Sequence, residues 1–119
     1  MQPSYENPQK HKHRSDSVTW NGIVYVSGVI ARSGKGNFVE QVRQVLEELD
    51  LRLEAAGTDK ANLLSTTIWL ADVNGDVGTL NPIWSSWLAP GRLPARACVQ
   101  ATLQGDALLE VAAIAAVRS

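Results

Sequence analysis

The chain has 119 residues, 45% hydrophobic and 19% charged, with a formal net charge of -1. That suits one soluble domain with a real core, and it excludes the broad positive surface by which DNA- and RNA-binding proteins hold phosphates. A lone cysteine, Cys98, excludes an internal disulfide, and no apolar run reaches the length of a membrane span.

Residues 1–13 are polar, with Pro3 and Pro8 and no periodicity, and read as a flexible N-terminal arm ahead of a single domain over 14–119. The start Met1-Gln2-Pro3-Ser4-Tyr5 does not read as a signal sequence. Together with the single cysteine it predicts a reducing, cytoplasmic setting. The cluster Lys10-His11-Lys12-His13-Arg14 is too short for nucleic acid, and two histidines make no metal site. It reads as a solvated end of the arm.

Two β-branched runs, Ser17-Val18-Thr19-Trp20 and Ile23-Val24-Tyr25-Val26-Ser27-Gly28, flank Asn21-Gly22. That pair marks a two-residue hairpin, because both turn positions need positive φ. Beyond Gly36 the period changes. Phe38, Val42, Val45, Leu46, Leu49 and Leu53 recur at three- and four-residue steps, with Glu40, Arg43, Glu47 and Arg52 off the stripe. This predicts an amphipathic helix closed by Gly57.

Residues 63–70 return to strand composition, and 72–78 are rich in turn formers. Val77, Leu80, Trp84, Trp87 and Leu88 then mark a second amphipathic helix whose tryptophans read as core. Pro82 leaves two options there: an N-cap at Asn81 with proline in the first turn, or a kink. Two apolar segments follow, 94–103 and 107–117, joined through Gln104-Gly105-Asp106 and predicted to pair as a second hairpin. The order hairpin, helix, strand, helix, hairpin implies an α+β fold: one mixed sheet with two helices on one face.

The last strand carries an assembly argument. Leu109, Val111, Ala113 and Ala115 lie on one face and Leu108, Ala112 and Ile114 on the other, beside Glu110. Two helices cover only one side of a sheet, so the second apolar face is expected to meet another subunit.

Charged residues inside the two most apolar segments single out the chemistry. Arg96 stands in Pro94-Ala95-Arg96-Ala97-Cys98-Val99, and Glu110 is the only polar residue of 107–117. A half-buried carboxylate needs a partner or a task. If the two segments pair, Arg96 lies near Glu110, either as a structural ion pair or as a site; Glu110 also stands to reach that site from a neighbouring chain. A guanidinium fork suits a carboxylate ligand, and a carboxylate beside it can polarise a water. Cys98 has no histidine outside the arm to activate it and reads as filler. Ser27-Gly28 ends a strand where a ligand could approach the backbone closely.

Pro94-Ala95-Arg96-Ala97-Cys98-Val99, with Glu110-Val111-Ala112-Ala113-Ile114-Ala115 downstream, resembles the signature of the RidA/YjgF family of reactive-intermediate deaminases. Val26-Ser27-Gly28, the helix from Gln41 to Gly57, Thr67-Ile68-Trp69-Leu70-Ala71-Asp72, and Asn81 before Trp84 and Trp87 support it. The resemblance implies a chorismate-mutase-like fold assembled as a homotrimer with pockets between subunits. It implies cofactor-free, metal-free hydrolysis of 2-imino acids or enamines, released by pyridoxal-phosphate enzymes, to 2-keto acids and ammonia. By the same resemblance Arg96 binds the substrate carboxylate and Glu110 places the attacking water. Ala97, Cys98, Ser27, Gly28, Asn81 and Arg14 fall at substrate-binding positions. Arg14 stands where better-studied members carry a tyrosine, and Val29 where they carry a glutamine; residues 14–18 and the tryptophans look closer to the YoaB-like branch. The rival reading is a non-catalytic trimeric binder of small carboxylates, and retained Glu110 favours the enzyme. A ribonuclease activity, sometimes attached to this family, lacks the basic, aromatic-rich face it would need.

Overall fold

The structure is a computed structural model that describes residues 2–118. Six strands form one mixed sheet: β1 (Ser4–Glu6), β2 (Ser17–Trp20), β3 (Ile23–Val29), β4 (Leu63–Leu70), β5 (Ala95–Gln100) and β6 (Leu109–Ala116). Two helices, α1 (Phe38–Ala55) and α2 (Val73–Trp87), pack on one face, and a 3₁₀ turn at Lys60–Asn62 precedes β4. The spatial order is β1-β2-β3-β6-β4-β5.

The Asn21-Gly22 turn forms as its residues require, with φ of 52° and 78°, and sets Trp20 opposite Ile23. Helix α1 begins where the Asn37 side chain accepts the Glu40 N–H at 3.0 Å. It ends in a Schellman motif: Gly57, at φ 83°, donates to the Glu54 carbonyl, and Thr58 N–H donates to that of Leu53. Its predicted stripe, Val42, Val45, Leu46, Leu49 and Leu53, is buried against the sheet. Helix α2 starts earlier than Asn81, because Asp72 caps it by accepting from Gly75 N–H at 3.1 Å. Asn81 is therefore an exposed helical residue, and Pro82 sits inside the helix.

The second hairpin does not form. β5 pairs parallel with β4, as the return strand of a β4-α2-β5 crossover, and β6 inserts between β3 and β4, antiparallel to both. Burial explains the choice. Leu109, Val111, Ala113 and Ala115 are all buried, so β6 takes the central position, whereas five of the six β5 residues are exposed and suit an edge. The N-terminal segment also differs from expectation. Ser4–Glu6 pair with β2 as the other edge strand, and the Asn7 side chain closes a turn onto His11, its Nδ2 donating to the His11 carbonyl and its Oδ1 accepting from His11 N–H.

The face away from the helices is apolar and open, as the two-faced last strand predicts. Tyr25, Ile114 and Val99 are 45%, 36% and 47% exposed, with Trp69 and Ala112 between them.

Candidate functional site

The site grows from an irregularity in β3. The β3–β6 ladder shifts register between Val26 and Val29, taking Ser27 and Gly28 out of regular pairing. Ser27 is held from three sides: its N–H donates to the Asp16 carbonyl (3.0 Å), its hydroxyl to the Ser15 carbonyl (2.6 Å), and its own carbonyl accepts from Arg52 Nη1 (3.5 Å). Gly28 has no side chain for a steric reason. A Cβ there would stand 2.0 Å from Glu110 Oε2, so the carboxylate lies directly on the glycine. Glu110 is half-buried and forms no ion pair among the described residues.

Beside this carboxylate runs a chain of alternating charges. Arg14 meets Asp16 at 2.5 Å, and Asp16 lies 3.7 Å from Arg52. Arg52 donates to Glu48 at 3.0 Å, and Glu48 lies 3.6 Å from Arg32. The Arg52 side chain is only 10% exposed, and this pairing compensates its burial. Of these charged groups, Arg14, Arg52, Glu48 and Arg32 wall a cleft of about 690 Å³ whose lining also includes Ser27, Gly28, Gln104 and Glu110.

Of the residues the sequence singled out, the cleft gathers Arg14, Ser27, Gly28 and Glu110 and leaves out Arg96, Ala97, Cys98 and Asn81. The expectation that Arg96 and Glu110 meet within one chain is overturned. Arg96 is in register with Thr66, whose side chain is buried on the helix side, whereas Glu110 is in register with Trp69 on the open side. Strand β4 stands between them. Arg96 and Ala97 are exposed on the edge strand, and Cys98 is half-buried against the core. A structural Arg96–Glu110 pair inside the protomer is absent among the described residues, so Glu110 has no direct ion-pair partner there.

His13, read as part of a solvated arm, lines the cleft, as do Gln9, Gln44 and Glu48. The Glu48–Arg52 spacing of four residues was the available signal for the charge chain, since such pairs meet on one helix face. Among the described residues no cluster of three or more His, Cys, Asp or Glu could hold a metal ion, and no helix is long and apolar enough to cross a membrane.

A family model described as Endoribonuclease L-PSP matches residues 5–117. The RutC family protein YoaB of Escherichia coli is 36% identical over 104 residues, covering 87% of this chain and 90% of its own. The chain belongs to the RidA/YjgF family. Its relationship within the family is YoaB-like. The 2-iminobutanoate/2-iminopropanoate deaminase of Rattus norvegicus is 41% identical over 108 residues, or 85% of this chain and 77% of that one. Among solved family structures, NMB1025 of Neisseria meningitidis superposes with a TM-score of 0.93 at 35% identity, covering 100% of this chain and 98% of its own. The mixed sheet with two helices on one face is thus the RidA/YjgF fold, and imine deamination is a role found among the family's members.

Proposed function

We propose that the protein hydrolyses 2-imino acids and their enamine tautomers to 2-keto acids and ammonia, in clefts completed by a neighbouring copy within a homotrimer. The observation that carries this reading is Glu110: a half-buried carboxylate seated on a glycine, lining a cleft, with no ion pair among the described residues. Such a group is free to hold a water. The deaminase relatives at 35–41% identity supply the reaction class.

In the proposed mechanism the substrate enters as the protonated imine, and Glu110 accepts a proton from water as its oxygen adds to the imine carbon, giving a neutral carbinolamine. The same carboxyl then returns the proton to nitrogen. The carboxylate, free again, takes the hydroxyl proton as the carbonyl forms and the C–N bond breaks, and passes it to the departing ammonia, so that the 2-keto acid and ammonium leave and Glu110 is regenerated. The substrate carboxylate is held bidentately by the partner subunit's Arg96, and the backbone at Ala97 and Cys98 of that copy closes the cleft. Asn81 contributes from the same side. Exposure of Arg96 on an edge strand, together with the uncovered apolar sheet face, supports an arrangement in which each copy lends its edge to the next.

The test is complementation between inactive variants. Arg96→Lys and Glu110→Gln each abolish most turnover, yet mixed trimers refolded from equal amounts regain up to roughly a quarter of wild-type activity, because random pairing leaves that share of clefts with both native residues. A site built within one chain would regain nothing on mixing. That result would end the shared-cleft reading.

A further inference from the structure

We propose that Arg14 makes this cleft selective for imino acids that carry a second carboxylate on the side chain; the inference rests on the deaminase reading and adds the substrate class to it. Arg14 stands on the segment leading into β2, which runs alongside Ser27-Gly28 through the 3.0 Å bond from Ser27 N–H to the Asp16 carbonyl. It is therefore a flank of the surface on which Glu110 lies. Its guanidinium is aimed rather than used up. Nη1 donates to Asp16 Oδ1 at 2.5 Å and Nη2 faces His11 Nε2 at 3.1 Å, while Nε forms no hydrogen bond among the described residues. The side chain is 30% exposed and lines the cleft.

The surroundings favour an anion there. Asp16 is shared between Arg14 and Arg52, so the chain Arg14–Asp16–Arg52–Glu48–Arg32 holds three cations against two carboxylates. Glu110 balances it to neutrality, and the partner subunit's Arg96 then leaves an excess of one positive charge. A protonated imine with one carboxylate is neutral overall and does not answer that excess. The protonated imine of a dicarboxylic acid carries one net negative charge and does. Apart from Ile30, Ala31 and Gly28, the wall is made of polar and charged residues. An aliphatic substrate side chain would strip water from them without replacing its hydrogen bonds, whereas a carboxylate replaces them.

The experiment compares 2-iminoglutarate with 2-iminobutanoate, both generated in situ by amino-acid oxidases, through kcat/KM for 2-keto acid release above the spontaneous rate. The unaltered protein is expected to prefer the dicarboxylate by about tenfold or more. Arg14→Gln should lower the ratio of the two kcat/KM values by roughly 10- to 100-fold, chiefly through KM, and Arg14→Lys should retain part of it. Calorimetric binding of 2-oxoglutarate against 2-oxobutanoate follows the same ratio without turnover. Hydrolysis of neither imine would remove the deaminase reading while this binding ratio still judged the carboxylate preference. A preference for 2-iminobutanoate, or ratios unchanged in Arg14→Gln, overturns the proposal.

Discussion

Replacing Gly28 by alanine separates catalysis from folding more cleanly than replacing Glu110 itself. The added Cβ would meet Glu110 Oε2 at 2.0 Å, and ordinary contact begins near 3.4 Å. The carboxylate must therefore retreat by about 1.4 Å or swing aside, which it can do because it is the far end of a flexible side chain. Misplacement of a catalytic group by about 1 Å costs on the order of 100-fold in rate. That corresponds to about 2.7 kcal/mol of transition-state free energy. Folding should hardly notice. Gly28 does not occupy the left-handed region that favours glycine, so alanine also narrows the unfolded ensemble, a gain of about 0.4–1 kcal/mol that offsets the crowding. Stopped assays of imine hydrolysis, run beside thermal unfolding, read both quantities on one preparation. The expected result is turnover down about 100-fold with Tm within roughly 5 °C of the unaltered protein. Turnover within threefold of the unaltered protein would show that the carboxylate's seat on Gly28 has no part in the reaction.

Gln41→Leu should destabilise the chain by about 2–4 kcal/mol in urea unfolding, because the buried amide bonds the Asp106 carbonyl and the Leu108 N–H and leucine leaves both unanswered, while the Gly34 carbonyl keeps only its bond from Asn37 N–H. Cys98→Ser should keep most imine hydrolysis, since the thiol is half-buried on the edge strand and bonds no basic side chain among the described residues; complete loss in an intact assembly would make the thiol a participant. If the proposed homotrimer forms through the open sheet face, Ile114→Glu should shift sedimentation towards monomer and abolish turnover with the protomer still folded, whereas an unaltered sedimentation profile would place the subunit contact elsewhere.

The parts of the fold governed by local chemistry were legible in the sequence. Asn21-Gly22, the α1 stripe with Gly57 behind it, and the alternation of the last strand each rest on interactions within a few residues, and each stands as read. Strand order was not legible, because it depends on a comparison between distant segments. Gln104-Gly105-Asp106 looks like a hairpin connection, and a short loop between two apolar runs gives no local hint that a third strand intervenes. The deciding contrast was present nonetheless. Arg96 and Gln100 interrupt one face of β5, whereas Glu110 is the single polar residue of β6, and the more apolar strand takes the centre. Among the cleft residues, Glu110 stood out because it breaks an apolar run. Arg52 did not, because on an amphipathic helix a charged residue off the stripe looks solvated until Asp16 and Glu48 are brought against it.

The central position of β6 also accounts for the accuracy with which Glu110 is placed. Four buried residues, Leu109, Val111, Ala113 and Ala115, fix the strand against the helices, and ladders to β3 and β4 hold it from both edges. A slip of one residue would turn that apolar set outward and Glu110 into the core, at the cost of both the packing and an unpaired buried charge. The backbone that carries Glu110 is thus fixed by the central strand of the sheet. Arg96, on the edge strand, is the part left free to engage whatever stands beside it. On the shared-cleft reading, a carboxylate on the central strand and a guanidinium from another copy meet only on assembly, so oligomer formation and activity should rise together with protein concentration.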